Sequence, residues 1–291
     1  MRLLVAGCGW LGREIARRAR DAGDEVVALS RRPRELPRGV VALAADLTRP
    51  ETLGELPTGL DAVVYAAAAD GRDEPSYRAA YPIGLGHLLA ALGARAEARP
   101  RVLFCSSTGV WGEADGGWVD ETTPADADHF TGRVIREAEA ALAASVFPGI
   151  ALRLGGLYGP GRERLIDAVR AGRPLGDDAA WTNRIHRDDA AAAVLHLLRL
   201  ERPAALYAGV DGHPARMGEV RAFLAAELGL ALPPAAAPGG AAANGNHRRG
   251  EGKRVRGERL RATGFRPSFP DFRAGYRSLL AARGEGEGEK D

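Results

Sequence analysis

The 291-residue chain predicts an α/β fold: a doubly wound parallel sheet with a smaller C-terminal lobe. Three observations predict it. Short apolar runs alternate with helix-compatible stretches through the first half of the sequence. The apolar runs are nearly continuous, as burial by helices on both faces of a parallel sheet requires. The first run leads without a gap into Gly7-Cys8-Gly9-Trp10-Leu11-Gly12.

The first strand is read at Leu3–Ala6, and an Arg-rich helix follows the glycines as far as Ala22-Gly23. Strand, G-x-G-x-x-G turn and helix is the order a dinucleotide pyrophosphate needs. Gly7 allows the tight turn, and Gly9 lets the backbone approach the phosphates. Gly12 lets the helix pack against the strand, and the helix start at Trp10 and Leu11 points bare N–H groups at the anion. This predicts a Rossmann-type nucleotide domain. The second strand, Glu25–Ser30, ends in Ser30-Arg31-Arg32. An NAD site carries an acid there for the ribose 2′-hydroxyl. Two guanidiniums suit a 2′-phosphate, so NADP is expected in preference to NAD.

The third strand is read at Gly39–Leu43 and the fourth at Ala62–Ala66. Ligands bind beyond the carboxyl ends of such strands, so Ala66 and Ala67 join the cofactor-binding candidates. Helical periodicity runs from about Ser76 to Leu92, with Tyr81 and His87 read as packing residues. Arg101–Cys105 and Gly149–Leu154 are further strands, with helix composition over Thr131–Ala144 between them. Right-handed crossovers complete the doubly wound arrangement. Asp188–Leu200 and Met217–Leu228 read as helices, and Pro233–Gly252 as a loop. The expected organisation is a nucleotide domain over 1–155 completed by later segments, a substrate lobe from 156–283, and a disordered polar tail at 284–291.

A net charge of +2 and the lack of a basic run beside aromatic residues argue against nucleic acid as a partner. Lysine occurs only at Lys253 and Lys290, so the arginine count reflects composition. Cys8 and Cys105 at strand ends fit a reduced, cytoplasmic setting. No apolar run approaches the ~20 residues that span a bilayer, and no signal segment precedes the first strand. No Cys, His and carboxylate cluster has metal-ligand spacing. The expected partner is a small-molecule substrate. A homodimer stays open, since no feature fixes the oligomeric state.

Five further segments carry a family resemblance: Asp46-Leu47 after the third strand, Ser106-Ser107 through Gly112, Asp120-Glu121-Thr122-Thr123-Pro124, Arg153 through Gly161, and Ile185-His186-Arg187-Asp188-Asp189. Together they resemble the extended branch of the short-chain dehydrogenase/reductase superfamily, the epimerase/dehydratase-like members. The resemblance covers roughly residues 1 to 275. It implies an adenine contact at Asp46 and Leu47 and a substrate-orienting hydroxyl at Ser107. Tyr158 and His186 fall at positions that pack rather than react.

Two departures matter: the opening is G-x-G-x-x-G and not the G-x-x-G-x-x-G usual in that branch, and the proton-transfer pair is missing. That family carries Tyr-x-x-x-Lys on the helix after the fifth strand, the Tyr moving a proton and the Lys lowering its pKa. Here one register puts Thr131 and Ile135 at those positions, and the other puts His129 and Arg133 there. No lysine precedes Lys253. His129, with an unperturbed pKa near ~6.5, is then the candidate for proton transfer, whereas Arg133 cannot deprotonate. The resemblance implies an NADP-binding oxidoreductase acting on a carbonyl or alcohol, with a sugar-nucleotide-like substrate in view. The alternative is a catalytically impaired NADP(H)-binding sensor or scaffold.

Overall fold

The computed structural model describes residues 1–33, 35–95, 99–174, 176–234 and 251–287. In chain order its first elements are β1 (Arg2–Ala6), α1 (Trp10–Asp21), β2 (Glu25–Ser30), β3 (Val41–Ala44), β4 (Ala62–Tyr65), α2 (Glu74–Arg78), α3 (Gly84–Gly93) and β5 (Arg101–Ser107). There follow β6 (Asp115–Val119), α4 (Phe130–Ala143), β7 (Gly149–Leu154), β8 (Gly156–Tyr158), α5 (Arg164–Arg170), β9 (Trp181–Thr182), β10 (Arg184–His186) and α6 (Arg187–Arg199). The last are β11 (Leu206–Gly209), β12 (Ala215–Arg216), α7 (Met217–Glu227), β13 (Gly252–Val255), α8 (Glu258–Ala262) and α9 (Phe272–Glu287). Residues 235–250 of the expected loop and 288–291 of the expected tail lie outside the described residues, whereas 284–287, expected in the disordered tail, continue helix α9.

Seven strands form one sheet in the order β11-β7-β5-β4-β1-β2-β3. The pairings from β3 through β7 are parallel. This is the doubly wound α/β sheet the sequence predicts. Successive strands step outward from β1 in one direction to β3 and from β4 in the other to β7, so the order reverses between β1 and β4. Such a reversal leaves a crevice beyond the strand ends. Leu3 to Ala6, Val63 to Tyr65 and Val102 to Phe104 are fully buried. Each large apolar side chain so buried contributes about 1.5–3 kcal/mol, which explains why these runs choose the sheet interior.

The helical stretch over 76–92 is not one continuous α-helix. Ala79–Ile83 forms a π-helical turn with Pro82 inside it, between α2 and α3. Proline lacks the N–H and clashes with the carbonyl four residues back, and a wider turn accommodates it.

By contacts the chain divides into two compact units. The first comprises Met1–Gly112, Pro124–Leu154 and Ala190–Tyr207, and the second Glu113–Thr123, Gly155–Asp189 and Ala208–Asp291. The second unit carries a two-stranded sheet, β10-β8, and a four-stranded sheet, β12-β9-β13-β6. Its apolar centre includes Tyr158, Ile166, Val220, Leu224, Phe272 and Tyr276. Buried polar side chains sit in the same unit. Asp189 accepts N–H bonds from Ser268 at 2.7 Å and Phe269 at 2.9 Å, and the His186 ring lies 4.0 Å from that of Phe269. Asp211 is 4% exposed. Its Oδ1 accepts the His213 N–H at 2.9 Å, while Oδ2 has no hydrogen-bond partner among the described residues. Burial pushes its pKa up to about 7, against the His213 bond and the nearby Arg184 and His213 charges.

Candidate functional site

The glycine turn joins β1 to α1 in the first unit, and its three glycines answer to three different constraints. Gly7 has φ 92°, and a Cβ there would lie 2.2 Å from the Ala67 nitrogen. Gly12 packs the helix onto the turn, where a Cβ would lie 2.4 Å from the Gly7 carbonyl oxygen. A Cβ on Gly9 would meet nothing within 4 Å. Two glycines are therefore required by the fold itself, and the third borders open space at a helix start. Helix α1 begins there with no side-chain cap and no acid in its first turn, so its leading N–H groups favour an anion. This geometry fits a dinucleotide pyrophosphate. Leu11 is buried and Trp10 half-buried. Burial pushes the Cys8 thiol up to about 11, leaving it neutral.

Ser30 ends β2, and Arg31 and Arg32 are exposed just beyond it. Arg31 donates from both terminal nitrogens to Asp70 at 2.7 Å. That bidentate bond is the main reason the Asp70 carboxyl sits below the usual range. Asp46 follows β3 and turns inward on itself, Oδ1 accepting the Thr48 N–H at 2.9 Å and hydroxyl at 2.7 Å. Partial burial would raise Asp46, but those bonds and the Arg31 and Arg49 charges outweigh it and hold the carboxyl low. His87 donates from Nδ1 to the Leu47 carbonyl at 2.9 Å, fixing the same turn from α3. Ala66 hydrogen-bonds back to Ala6 at 2.8 Å, which sets Ala66 and Ala67 against Gly7.

Ser107 closes β5. Its hydroxyl oxygen accepts the Gly109 N–H at 3.0 Å, leaving the hydroxyl proton to donate elsewhere. His129 is the N-cap of α4. Its Nδ1 accepts the Gly132 N–H at 3.1 Å and lies 2.7 Å from the Thr131 hydroxyl. Nδ1 is thus committed to the helix start, and proton traffic through this ring would use Nε2. The turn after Ser107 and the first turn of α4 meet at Gly132, where a Cβ would lie 2.8 Å from the Gly109 oxygen and 3.0 Å from His129 Cε1. Thr131 and Ile135 are buried in α4. Arg133 donates to the Asp128 carbonyl and lies 3.7 Å from Glu74. Arg153 on β7 holds the helix in place through Glu139 at 2.7 and 2.9 Å, with Ser106 donating to the same carboxylate at 2.5 Å. The Trp111 ring covers that guanidinium at 4.6 Å.

Two residues at this edge escape a reading of the sequence. Asp70 lies 39 positions from Arg31, and only the fold pairs them. Tyr77 precedes Tyr81 by one helical turn, and that i, i+4 spacing was the available signal. Its ring packs edge-on against Phe130, the first residue of α4, at 5.5 Å, and lies 5.3 Å from Tyr81. Tyr81 is half-buried, and desolvation first, with Tyr77 adding to it, pushes its phenol up to about 12.

Comparison with known proteins places this geometry among relatives. A family model described as the NAD dependent epimerase/dehydratase family matches residues 3–207. Protein YeeZ of Escherichia coli (strain K12) is 38% identical over 121 residues, or 40% of this chain, and the match spans 42% of that relative's length. The 3-diazoavenalumate denitrifying reductase of a Streptomyces species is 32% identical over 269 residues, covering 82% of this chain and 84% of the relative. A solved structure from Methylobacillus flagellatus, described as an NAD-dependent epimerase/dehydratase, is 37% identical. It covers 97% of this chain and 98% of that one, with a TM-score of 0.80.

Proposed function

The chain belongs to the NAD dependent epimerase/dehydratase family, within the extended short-chain dehydrogenase/reductases, and on that premise we propose that it is an NADP-binding oxidoreductase acting on a carbonyl or alcohol, with a sugar-nucleotide-like substrate in view. The open space beside Gly9 at the uncapped start of α1 carries the reading. Gly7, Gly9 and Gly12 with the Trp10 and Leu11 backbone would hold the pyrophosphate. Asp46, Leu47, Ala66 and Ala67 would line the adenosine side, and Ser30, Arg31 and Arg32 would take the 2′-phosphate. The bound nicotinamide supplies or accepts hydride. Ser107, whose oxygen is held by the Gly109 N–H, would donate its hydroxyl proton to the substrate oxygen and orient it. His129, through Nε2, or a water would move the proton. The named activity of the Streptomyces relative, a reductase, supports redox chemistry.

A second reading is favoured by one observation. In one of the two registers, the positions where the family keeps its Tyr and Lys are Thr131 and Ile135, both buried in α4. A chain so built could bind NADP(H) as a sensor or scaffold without turnover.

The test is a titration of NADPH and NADH against wild type, the Arg31→Ala/Arg32→Ala double variant and Asp70→Asn. A charge-assisted hydrogen bond contributes about 1.5–3 kcal/mol, so the double variant should weaken NADPH by roughly ten- to a hundredfold. Asp70→Asn frees Arg31 from an exposed pair and should tighten NADPH by up to roughly fivefold. Equal wild-type affinities for the two cofactors would overturn the NADP reading.

A further inference from the structure

Tyr81, read from the sequence as a packing residue, also has a polar contact at the strand ends. It lies in the π-helical turn Ala79–Ile83, between α2 and α3. That turn is pinned to two neighbouring strands. Tyr65, the last residue of β4, donates to the Ala80 carbonyl at 2.5 Å. The Tyr81 ring packs edge-on at 6.2 Å against Phe104 of β5. Its phenol oxygen accepts the Ala69 N–H, in the loop after β4. All of these residues belong to the first unit. A π-turn inside a helix is rare and recurs at functional sites. Pro82 accounts for the break in the helix but not for a hydroxyl delivered to the ends of the strands.

The strand order indicates what meets that hydroxyl. Gly9 and the start of α1 follow β1, while Ser30, Arg31 and Asp46 stand at the ends of β2 and β3, to one side of β1. A dinucleotide with its pyrophosphate at the glycine turn and its adenosine over β2 and β3 must extend its other half the opposite way, over the ends of β4 and β5. Ala69 follows β4, and Ser107 ends β5. The Tyr81 phenol is thus held on the nicotinamide side of the crevice, at the same strand ends as the hydroxyl proposed to orient the substrate. Its titratable neighbours are Tyr77, Cys105 and Tyr65, and burial pushes the Cys105 thiol up to about 12, leaving it neutral.

We infer that Tyr81 hands the proton to the substrate oxygen, the task for which α4 carries no tyrosine. The inference rests on the NADP-dependent chemistry proposed above. In the reductive direction hydride joins the carbonyl carbon. The Tyr81 O–H bond breaks as an O–H bond forms on the substrate oxygen, and the phenolate recovers a proton from His129 Nε2 or a water. Desolvation first, with Tyr77 and Cys105 adding to it, keeps the phenol protonated at neutral pH, so it begins as a donor. The Ala69 N–H stays on the oxygen and favours the phenolate that the step leaves behind. His129 is exposed and its Nδ1 is committed to α4. It restores the proton on Tyr81 rather than meeting the substrate.

The full chain labelled with 3-fluorotyrosine tests the placement without a substrate. The chain has six tyrosines, and the fluorine signal missing from Tyr81→Phe is that of Tyr81. Ring fluorine acidifies the phenol and brings its titration toward milder pH. In the NADP⁺ complex the charge on the nicotinamide should lower the pKa of that signal by about 1–2 units relative to the NADPH complex. The same difference should survive Tyr77→Phe. With benzaldehyde as the carbonyl probe, Tyr81→Phe should lower kcat by about 10²–10⁴-fold with NADPH affinity little changed. Thermal melts report whether Tyr81→Phe folds, and if it does not, Phe substitution of the remaining tyrosines assigns the signal by elimination. If neither cofactor binds, the cofactor reading fails and takes this inference with it. If both bind and the Tyr81 signal titrates alike in the two complexes, or Tyr81→Phe reduces benzaldehyde like wild type, the inference alone falls. If benzaldehyde is not reduced, the fluorine titration decides.

Discussion

Asp211→Asn probes the buried carboxyl of the second unit. An unfolded aspartate titrates near 3.8, and burial pushes Asp211 up to about 7 in the folded chain. The folded state therefore holds the proton over a pH range in which the unfolded state has lost it. Stability from this group is full below about pH 4, is lost progressively as pH rises toward 7, and levels off above. A rise of that size corresponds to on the order of 4 kcal/mol. Asparagine is neutral throughout and keeps an oxygen for the His213 N–H. Asp211→Asn should then melt roughly 5–15 °C above wild type near pH 8, with the gap closing as pH falls toward about 4. Carboxyls held low in the fold, such as Asp46, Asp70 and Asp120, contribute the opposite trend to both proteins and cancel in the difference. Circular-dichroism melts of both proteins across that pH range supply the measurement. A gap independent of pH, or a variant less stable than wild type at pH 8, would refute the reasoning.

The glycine turn separates a folding residue from a binding residue. Gly9→Val should fold and bind neither cofactor, since its side chain enters open space, whereas Gly7→Ala should destabilise the chain because of its positive φ and the close Ala67 backbone. Circular dichroism and cofactor titration of both variants distinguish them, and a folded Gly9→Val that binds NADPH normally would misplace the phosphate. On any carbonyl substrate that is turned over, His129→Ala should lower turnover by about 10²–10⁴-fold at unchanged NADPH affinity. The comparison with Tyr77→Phe assigns the group: loss of turnover in Tyr77→Phe but not in His129→Ala would transfer the role to the phenol beside Phe130.

The first unit was legible because its strands are apolar enough to be recognised one at a time. Leu3–Ala6, Glu25–Ser30 and Gly149–Leu154 each bury a run whose composition already excludes the surface. Much of the second unit was not. β9 and β12 are two-residue strands, too short for any periodicity, and they exist because partners distant in sequence arrive beside them. The break at Pro82 was visible as a residue but not as a π-turn, because the helical periodicity continues on both sides of it. At the candidate site the glycines could be read from local sequence. The capping use of His129 Nδ1 and the Arg31–Asp70 pair could not, since one depends on a hydrogen bond outside the usual capping residues and the other on tertiary placement.

The pairing of β6 with β13 also bears on how the protein is made. Gly116 and Arg254, joined by a hydrogen bond across these strands, stand 138 positions apart. At ribosomal rates of about 5–20 residues per second, β6 waits roughly 7–28 s for its neighbour to be synthesised. Through that interval Trp118 sits on an unpaired strand, ahead of an α4 that can already dock on β5. Truncations ending before β13 should therefore leave a sticky, unfinished edge rather than a tidy smaller protein. Chaperone dependence and the solubility of nascent fragments should both change at the point where Arg254 leaves the exit tunnel.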